Sequence, residues 1–538
     1  MANTFKKVID RLMWVQVAPS PNAHVTGLSL CSDLRSDVSR NPFVYQLANA
    51  TTLNRFNIVM KAWGFAANPA LAGVFGVGAT AGFAPSQGLS GSLEAGSTSS
   101  KVNVSTAFPT AVGLNMLANR GESGEYGYKI RIIGKASGKT EERFIVGNTI
   151  GTTPAISLDK ELTFTPQTGD LYEILSGRVF MLGAGTVAAN SWRSFEVASN
   201  TLSTGLSTTG LPAAIGTDSS IMVLDEQYTP FNCEPGEGMI RGSFVYDSNL
   251  TERRALSASA ADASTITGQA TGGDSVIAAN EYRNFQIRIV QDTVTPTSVG
   301  QRATIASHTA GPSPVYTLGA AWAVTPSSSA KFVIELPNLL LLRTSATTTV
   351  YTYNYNKVAY NNGTTNLASG AWSTTCFGAA PVANGAGGFW VPSWGIQPDD
   401  ARNARQSFCY FFRGANTTTL DVLDIAGGVN GAWTSTITYD GAVAINAGSC
   451  ATYAPYENEG RFGYVNVYVA SVVNQMHRFD VKNRVLSPVV PTDLLQAGTA
   501  GVGDRMASYC AIDGKDKYDV ILLQSHASTI SQELIVLI

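Results

Sequence analysis

The sequence has few charged side chains and no excess of basic ones. Lys, Arg, Asp and Glu together make up 14% of the residues, and the formal net charge is -3. A protein that recognises nucleic acid needs a basic face or stripe to neutralise phosphates. We therefore expect no specific binding of DNA or RNA.

Long apolar runs are also absent. No stretch of 18 apolar residues occurs, and the N-terminal residues 1–11 lack the apolar core of a secretion signal. The sequence thus predicts no membrane span and no signal peptide, and we expect the chain to be made in the cytoplasm.

Residues suited to metal binding or catalysis are scarce and scattered. The four histidines are His24, His308, His477 and His526, and no two have the i, i+4 spacing of a zinc site. No Cys-x-x-Cys, Gly-x-Ser-x-Gly or P-loop motif is present. We predict no catalytic residue, no cofactor and no metal site, and we interpret the chain as a non-enzyme.

A few other residues are better explained by structure than by a site. Asp399 and Asp400 could bind a cation, but a solvated turn is favoured. Trp390 and Trp394 could stack on a sugar, although strand alternation favours core or interface positions. The glycine-rich run 72–82 lacks the helix of a dinucleotide site, and it predicts an inner strand instead.

The chain is rich in residues of short strands and tight turns, and one unit returns along it. An apolar strand, a small polar turn and a second strand ending near a Trp run from Phe43 to Trp63. The same pattern recurs from Tyr464 to Val489, and both copies carry Arg-Phe-Asn or Arg-Phe-Asp in the second strand. Such repeats of antiparallel strands are typical of a β-propeller.

The repeat predicts an all-β fold, a propeller of about six blades. The last blade lacks an outer strand with a Trp, and the segment 13–18 supplies one, so we expect the N- and C-terminal strands to close the propeller together. Trp14, Trp63, Trp372 and Trp433 mark outer strands. Cys31, Cys450 and Cys510 have similar neighbours, which predicts free, buried thiols at one position of the innermost strands.

Two segments interrupt this plan and resemble each other. The block 125–133 matches 281–290, Glu142-Arg143 matches Gln301-Arg302, and Tyr172-Glu-Ile matches Phe332-Val-Ile. Both copies alternate apolar and polar residues, so each predicts a small β-module that leaves a blade between its inner and second strands. The Ser/Ala/Gly-rich segments 86–110 and 255–277 are interpreted as arms that lead into the modules.

These observations divide the chain into five parts. The predicted organisation is 1–85 for propeller blades, 86–176 for inserted module 1, 177–249 for propeller, 250–335 for inserted module 2 and 336–538 for the remaining propeller.

Module 1 carries a pattern with a known likeness. Between Arg143 and Ile174 the chain reads Arg-x-Ile-x-x-Asn-Thr and then Phe-Thr-Pro-x-x-Gly-Asp-x-Tyr-Glu-Ile. This pattern resembles small β-modules of tailed-bacteriophage structural proteins. With the Ser/Thr/Ala-rich propeller around it, the chain is similar to podovirus-type tail nozzle proteins, in which a propeller with inserted β-domains forms a ring around the DNA exit channel.

The resemblance implies a structural role in the virion, assembled in the host bacterial cytoplasm. Expected partners are copies of the chain in a ring and other phage tail, neck or capsid proteins, and DNA would pass without specific binding. Two alternatives stay open, namely a capsid decoration or head-fibre protein and a carbohydrate-binding or receptor-binding propeller. The second predicts a cluster of carboxylates with Arg or Tyr at one mouth of the propeller.

Overall fold

The fold is all-β, as the alternation of the sequence predicts. The computed structural model describes residues 12–21, 29–33, 43–49, 52–58, 61–63, 71, 75, 78–108, 128–216, 219–228, 256–268, 278–344, 347–380, 388–390, 408–413, 417–438, 450–454, 464–469, 475–480, 485–488, 505–513, 516–524 and 531–536. In these residues the only helices are two 3₁₀ turns, Glu226–Tyr228 and Pro296–Ser298. No helix of the described chain is long and apolar enough to span a membrane.

The first half of the chain contains eighteen described strands. They are β1 (Leu12–Gln16), β2 (Leu30–Ser32), β3 (Phe43–Asn49), β4 (Thr52–Asn57), β5 (Ala62–Trp63), β6 (Thr80–Ala84), β7 (Ser90–Ser92), β8 (Lys101–Asn103), β9 (Lys129–Gly134), β10 (Lys139–Asn148), β11 (Ala155–Leu158), β12 (Leu171–Ile174), β13 (Arg178–Leu182), β14 (Gly185–Thr186), β15 (Trp192–Glu196), β16 (Thr201–Leu202), β17 (Ala214–Ile215) and β18 (Ser220–Leu224).

The described strands of the second half continue the numbering. They are β19 (Leu256–Ala261), β20 (Thr265–Gly268), β21 (Gln286–Gln291), β22 (Arg302–His308), β23 (Val315–Leu318), β24 (Lys331–Glu335), β25 (Leu339–Arg343), β26 (Val350–Asn354), β27 (Tyr360–Asn361), β28 (Asn366–Leu367), β29 (Trp372–Ser373), β30 (Gly388–Trp390), β31 (Phe408–Phe412), β32 (Thr419–Asp424), β33 (Ala432–Thr438), β34 (Cys450–Ala454), β35 (Tyr464–Val469), β36 (Gln475–Asp480), β37 (Val485–Pro488), β38 (Arg505–Asp513), β39 (Asp516–Gln524) and β40 (Ser531–Val536).

Most strands outside the two inserted segments form six antiparallel sheets of four strands each. In chain order these are sheet 1 (β2-β3-β4-β5), sheet 2 (β6-β13-β15-β16), sheet 3 (β18-β25-β26-β29), sheet 4 (β30-β31-β32-β33), sheet 5 (β34-β35-β36-β37) and sheet 6 (β38-β39-β40-β1). Sheet 6 is completed by β1, whose Trp14 lies opposite Leu534 of β40, so the predicted pairing of the terminal strands is confirmed.

The first strands of the six sheets form a closed cycle, here called the ring. β2 contacts β6, β6 contacts β18, and the contacts continue through β30, β34 and β38 back to β2. Cys31, Cys450 and Cys510 lie in three of these first strands, as predicted. Trp14, Trp63, Trp372 and Trp433 all lie in fourth strands. That the six sheets are the blades of a propeller stays a prediction.

Sheet 2 shows how neighbouring sheets stack, because both of its faces are buried. Side chains alternate across a strand, so Val179 and Met181 of β13 join the apolar cluster shared with sheet 1. Phe180 and Leu182 point the other way and join the cluster shared with sheet 3, where the Trp192 and Trp372 rings lie 5.1 Å apart. A strand that is buried on both faces needs an unbroken apolar sequence. This explains why four apolar residues in a row follow Arg178 in β13, up to Leu182.

The inserted segments leave the ring where the sequence predicts, between the first and second strands of a sheet. Strands β7–β12 lie between β6 and β13, and β19–β24 lie between β18 and β25. β6 and β18 run side by side in the same direction. Near the starts of the two strands Ile221 donates its N–H to Thr80 Oγ1 at 3.2 Å, and just after their ends Ser86 donates its hydroxyl to Asp225 at 2.8 Å. Both segments therefore leave at the same end of the ring.

Each inserted segment is a six-stranded barrel. In barrel 2 (residues 256–335) the pairing runs β19-β24-β21-β22-β23-β20 and returns to β19. Barrel 1 (residues 90–174) has the same order, β7-β12-β9-β10-β11-β8, and a bridge between Leu93 and Val104 closes it. Identical topology supports the predicted duplication.

The interiors of the two barrels also match position by position. Ile130, Ile132, Ile145, Ile156 and Tyr172 fill barrel 1, and none of them is exposed. The residues with the same strand partners in barrel 2 are equally buried, namely Ile287, Ile289, Ile305, Tyr316 and Phe332. Each such side chain contributes about 1.5–3 kcal/mol of hydrophobic free energy, so both cores are substantial.

Two sequence interpretations of the modules are corrected. The segments 86–110 and 255–277 are not merely arms, since β7, β8, β19 and β20 complete the barrels. Ser and Ala are sufficient in these short strands, because backbone hydrogen bonds to the neighbouring strands hold them and few large side chains have to be buried. The sequence alignment of Arg143 with Arg302 is also wrong by one residue. Arg302 is the cross-strand partner of Arg288, and Glu142 is the cross-strand partner of Arg131, so Arg302 corresponds to Glu142.

Candidate functional site: the junction of the two barrels

The strongest concentration of charge in the described chain lies between the barrels and the ring, here called the junction. It begins with a row of charges across barrel 1. The strand register places Arg131 of β9 directly between Glu142 of β10 and Glu173 of β12. The guanidinium nitrogens of Arg131 lie 2.9 Å from a carboxylate oxygen of each neighbour. Arg131 itself is fully buried.

The equivalent row of barrel 2 has a different charge pattern. Arg288 occupies the position of Arg131, but its cross-strand neighbours are Arg302 and Val333. Arg288 binds Glu335 through two nitrogens, at 3.1 and 2.7 Å. The row in barrel 1 is therefore acidic overall and the row in barrel 2 is basic. Such opposite rows attract each other, whereas two copies of either row would repel.

Glu226 ties both barrels to the ring. It follows β18, at the point where the chain leaves sheet 3 for barrel 2. Its carboxylate lies 2.5 Å from Arg131 Nη1 of barrel 1 and 3.3 Å from Arg302 Nη2 of barrel 2. Its backbone N–H donates to Asn338 Oδ1 at 2.8 Å, next to the start of sheet 3 at Leu339. A single residue thus contacts three parts of the fold.

Glu173 makes a second bridge across the junction. Its carboxylate lies 3.4 Å from Arg302 Nη2 and 2.5 Å from Lys357 Nζ, which follows β26 in sheet 3. Burial opposes ionisation of Glu173, but Arg302, Lys357 and Arg131 outweigh burial and hold the pKa of this carboxyl well below its usual range. The carboxylates around Arg302 and Arg131 likewise raise the pKa of both guanidinium groups despite burial.

Opposite charges are balanced at the junction. Four cations meet four carboxylates, namely Arg131, Arg288, Arg302 and Lys357 with Glu142, Glu173, Glu226 and Glu335. Only Lys357 has a substantially exposed side chain, at 45%. Buried pairs of this kind add little net stability against an apolar core, but loss of one partner leaves an uncompensated charge and costs about 3–5 kcal/mol. The arrangement can fix the relative orientation of the barrels, and its burial leaves little room for a substrate.

The barrels also touch directly at one hairpin. Lys139 at the start of β10 pairs with Gln291 at the end of β21. Asp292 donates its backbone N–H to the carbonyl of Gly138 at 2.6 Å. This contact joins the strands of both barrels into one continuous sheet.

One more carboxyl, Asp225, lies beside the junction and has a different environment. It is fully buried, and it accepts hydrogen bonds from the Ser86 hydroxyl at 2.8 Å and from the backbone N–H of Gln227 at 2.8 Å. Burial and the neighbouring Glu226 raise the pKa of Asp225 to about 7, against the effect of its hydrogen bonds.

The described residues that the sequence singled out as possible metal or catalytic ligands lie apart from one another. His308 is buried in barrel 2, where its Nε2 accepts the N–H of Tyr282 at 2.9 Å. His477 is buried in β36 of sheet 5, and burial lowers its pKa. Cys31 and Cys450 are free, buried thiols, as predicted. Trp390 lies in β30, and no group of His, Cys, Asp or Glu in the described chain has the geometry of a metal site.

Five of the candidates lie outside the described residues, namely His24, His526, Asp399, Asp400 and Trp394. The junction, in contrast, was missed by sequence reasoning. A signal for it existed, because an Arg stands between isoleucines in both Ile130-Arg-Ile132 and Ile287-Arg-Ile289. A charged residue shared by both copies of an apolar strand indicates a paired position.

Comparison with known proteins gives no assignment. No protein-family model matches the chain, and no curated protein matches it either. A computationally designed protein, Ika8, covers 97% of this chain and 99% of its own at 11% identity, with a TM-score of 0.26. The GH74 enzyme of Niastella koreensis covers 94% of this chain and 90% of its own at 11% identity, with a TM-score of 0.18. Both TM-scores are too low to relate the folds.

Proposed function

We propose that the chain is a structural component of a tailed-phage virion, a tail or neck protein that assembles into a ring of copies through its two barrels. In this proposal the six sheets are the blades of a propeller. The observation that carries it is the pair of matching barrels, held in one orientation at the same end of the ring by buried charges. Two docking modules at a fixed angle generate a ring when each contacts a neighbouring copy and the rotation between copies closes.

The surface of the barrels supports a docking role. Four large apolar side chains are exposed in the described residues, and Val146, Ile150 and Val294 of these lie on barrels. Exposed apolar side chains suit the barrels as a contacting surface. The low content of charged residues, 14%, also suits contacts between copies, because few charges must lose their water.

The test uses a chain without its barrels. Ala84 lies opposite Arg178 and Leu224 lies opposite Leu339, so a two-residue Asn-Gly turn can replace residues 85–177 and another can replace 225–338. We expect the shortened chain to keep its β-sheet circular dichroism but to remain monomeric, whereas the full chain forms rings in electron micrographs.

Chains that lack one barrel serve as controls and are expected to form at most open oligomers. Rings of ordinary size from the chain that lacks both barrels would refute docking through them.

An antibody against the chain, applied to purified phage particles, separates a tail or neck position from a capsid decoration or head fibre. In a gel-shift experiment at low salt, we expect the chain not to change the mobility of DNA, since DNA passes without specific binding.

A carbohydrate-binding or receptor-binding propeller is the second candidate, because a cluster of carboxylates with Arg and Tyr is present at one end of the ring. Asp225, Glu226 and Tyr355 belong to it. Burial argues against this candidate, since a sugar could reach Glu226 only if the barrels moved apart. Saturable binding of the intact chain to a glycan array, lost in Glu226→Gln, would favour it over the structural role.

A further inference from the structure

Asp225 occupies the point where the chain leaves the ring for both barrels. It follows β18, which precedes barrel 2, and its carboxyl reaches Ser86, which follows β6 and precedes barrel 1. The hydroxyl of Tyr355, next to the end of β26 in sheet 3, lies 2.9 Å from the same carboxyl. One fully buried group therefore connects the bases of both barrels to sheet 3.

The hydrogen bonds of Asp225 stabilise its charged form only in part, because one of the donors is shared. Oδ2 accepts the N–H and the hydroxyl of Ser86, and it also faces the Tyr355 hydroxyl. That hydroxyl contacts the carbonyl of Leu224 as well, and a carbonyl can only accept. A phenol has a single proton, so when Tyr355 donates it to Leu224, the charged form of Asp225 loses one of its hydrogen bonds.

The charges around Asp225 also favour its neutral form. Its contacts within the described chain are Ser86, Gln227 and the Tyr355 hydroxyl, and none of them is a cation. The charge that acts on Asp225 is that of Glu226 in the same segment, and Glu226 is itself paired with Arg131 and Arg302 from the two barrels. Ionised Asp225 would therefore add a buried negative charge without a cation beside it.

We propose that Asp225 is a proton-operated latch. When it is protonated it holds the segments that lead to the two barrels together at the ring, and when it is ionised its charge beside Glu226 loosens this junction. This inference concerns the chain alone and does not depend on what the barrels bind.

The direction of the pH effect follows from linkage. A carboxyl with a raised pKa is protonated more in the closed junction than in an opened one, so closure is favoured at low pH and weakens as the pH rises through about 7. For one such group, the opening equilibrium grows about tenfold between pH 6 and pH 8.

Hydrogen exchange in the full chain measures this opening. We expect peptides that contain Ser86 or Asp225–Gln227 to exchange about tenfold faster at pH 8 than at pH 6, after correction for intrinsic exchange. Asp225→Asn cannot ionise and is expected to abolish that difference. The control Asp262→Asn changes an exposed carboxyl of barrel 2 and should behave as the parent chain. A parent chain without the pH difference, or an Asp225→Asn chain that retains it, would overturn the latch.

A second variant covers the case in which Asp225→Asn does not fold. Tyr355→Phe keeps Asp225 and the ring of Tyr355 but removes the hydroxyl that helps to hold the pKa of Asp225 down. The midpoint of the exchange change is therefore expected to move to higher pH. A midpoint that stays in place contradicts the role given to Asp225.

Discussion

At the scale of single residues, the barrels differ by their charged rows more than by their interiors. The apolar positions of the two barrels are nearly the same, with Ile in most of them. The row that faces the partner barrel is Glu142, Arg131, Glu173 in one copy and Arg302, Arg288, Val333 in the other. Matching interiors are expected of two modules with one topology, because packing tolerates little change. The charges of their facing rows, in contrast, are complementary.

Replacement of Arg131 tests the balance of charges at the junction. Arg131→Met leaves Glu142, Glu173 and Glu226 buried without their shared cation, and the free energy of unfolding is expected to fall by about 3–5 kcal/mol. Urea denaturation measures the change.

The double variant Arg131→Met/Glu226→Gln is the matched control for that experiment. It removes one of the uncompensated carboxylates, so it should regain part of the lost stability, which a double-mutant cycle resolves. A loss below about 1 kcal/mol for Arg131→Met would show that the row is not held by charge.

At the scale of elements, the contact between the barrels depends on a tight turn. Gly138 in the β9–β10 turn has a φ of +66°, and a Cβ there would lie 2.0 Å from the carbonyl oxygen of Asp292. Only glycine allows this approach without displacing the backbone of barrel 2. The turn of one barrel is thus shaped to fit the other.

Substitution of this glycine separates contact from backbone strain. Gly138→Ala is expected to lower the thermal midpoint by more than Gly169→Ala, because both have a positive φ but nothing lies within 4 Å of a Cβ at Gly169. The left-handed conformation costs about 1–2 kcal/mol in each variant, and the clash with Asp292 adds about 1–3 kcal/mol in Gly138→Ala alone. Equal midpoints would mean that the two barrels do not press on each other at this turn.

At the scale of the whole molecule, the two ends of the chain are joined in one sheet. β1 pairs with β40 over five residues, and β38 of the same sheet contacts the first strands of sheets 1 and 5. The cycle of first strands is closed by sheet 6, whose fourth strand comes from the other end of the chain. Closure of this kind protects a strand edge from pairing with other molecules.

Removal of β1 exposes that edge. A chain that starts at residue 19 leaves β40 unpaired along one side, and we expect it to aggregate at concentrations at which the full chain stays dispersed. Light scattering measures the difference. A chain that starts at residue 12 retains β1 and serves as the control, and equal aggregation of the two shortened chains would contradict the protective role of β1.

The sequence alone determined much of the element layout. Alternating apolar and polar residues and tight turns predict strands, and they located repeated strands of sheets 1 and 5 together with the positions of Cys31, Trp63 and Trp433. Internal similarity indicated two like modules, each placed between the first and second strands of a sheet. These features are local, so they follow from side-chain period and from turn chemistry.

The tertiary structure decided how those elements meet. β7 and β19 are short segments, mostly of Ser, Gly and Ala, with little pattern of their own, and only their partners make them barrel strands. The junction joins Arg131, Glu226 and Lys357, which are far apart in the chain, so neither their pairing nor the burial that raises the pKa of Asp225 is visible in a local pattern. Periodicity fixes what each strand can bury, whereas long-range packing fixes which charges share a buried site.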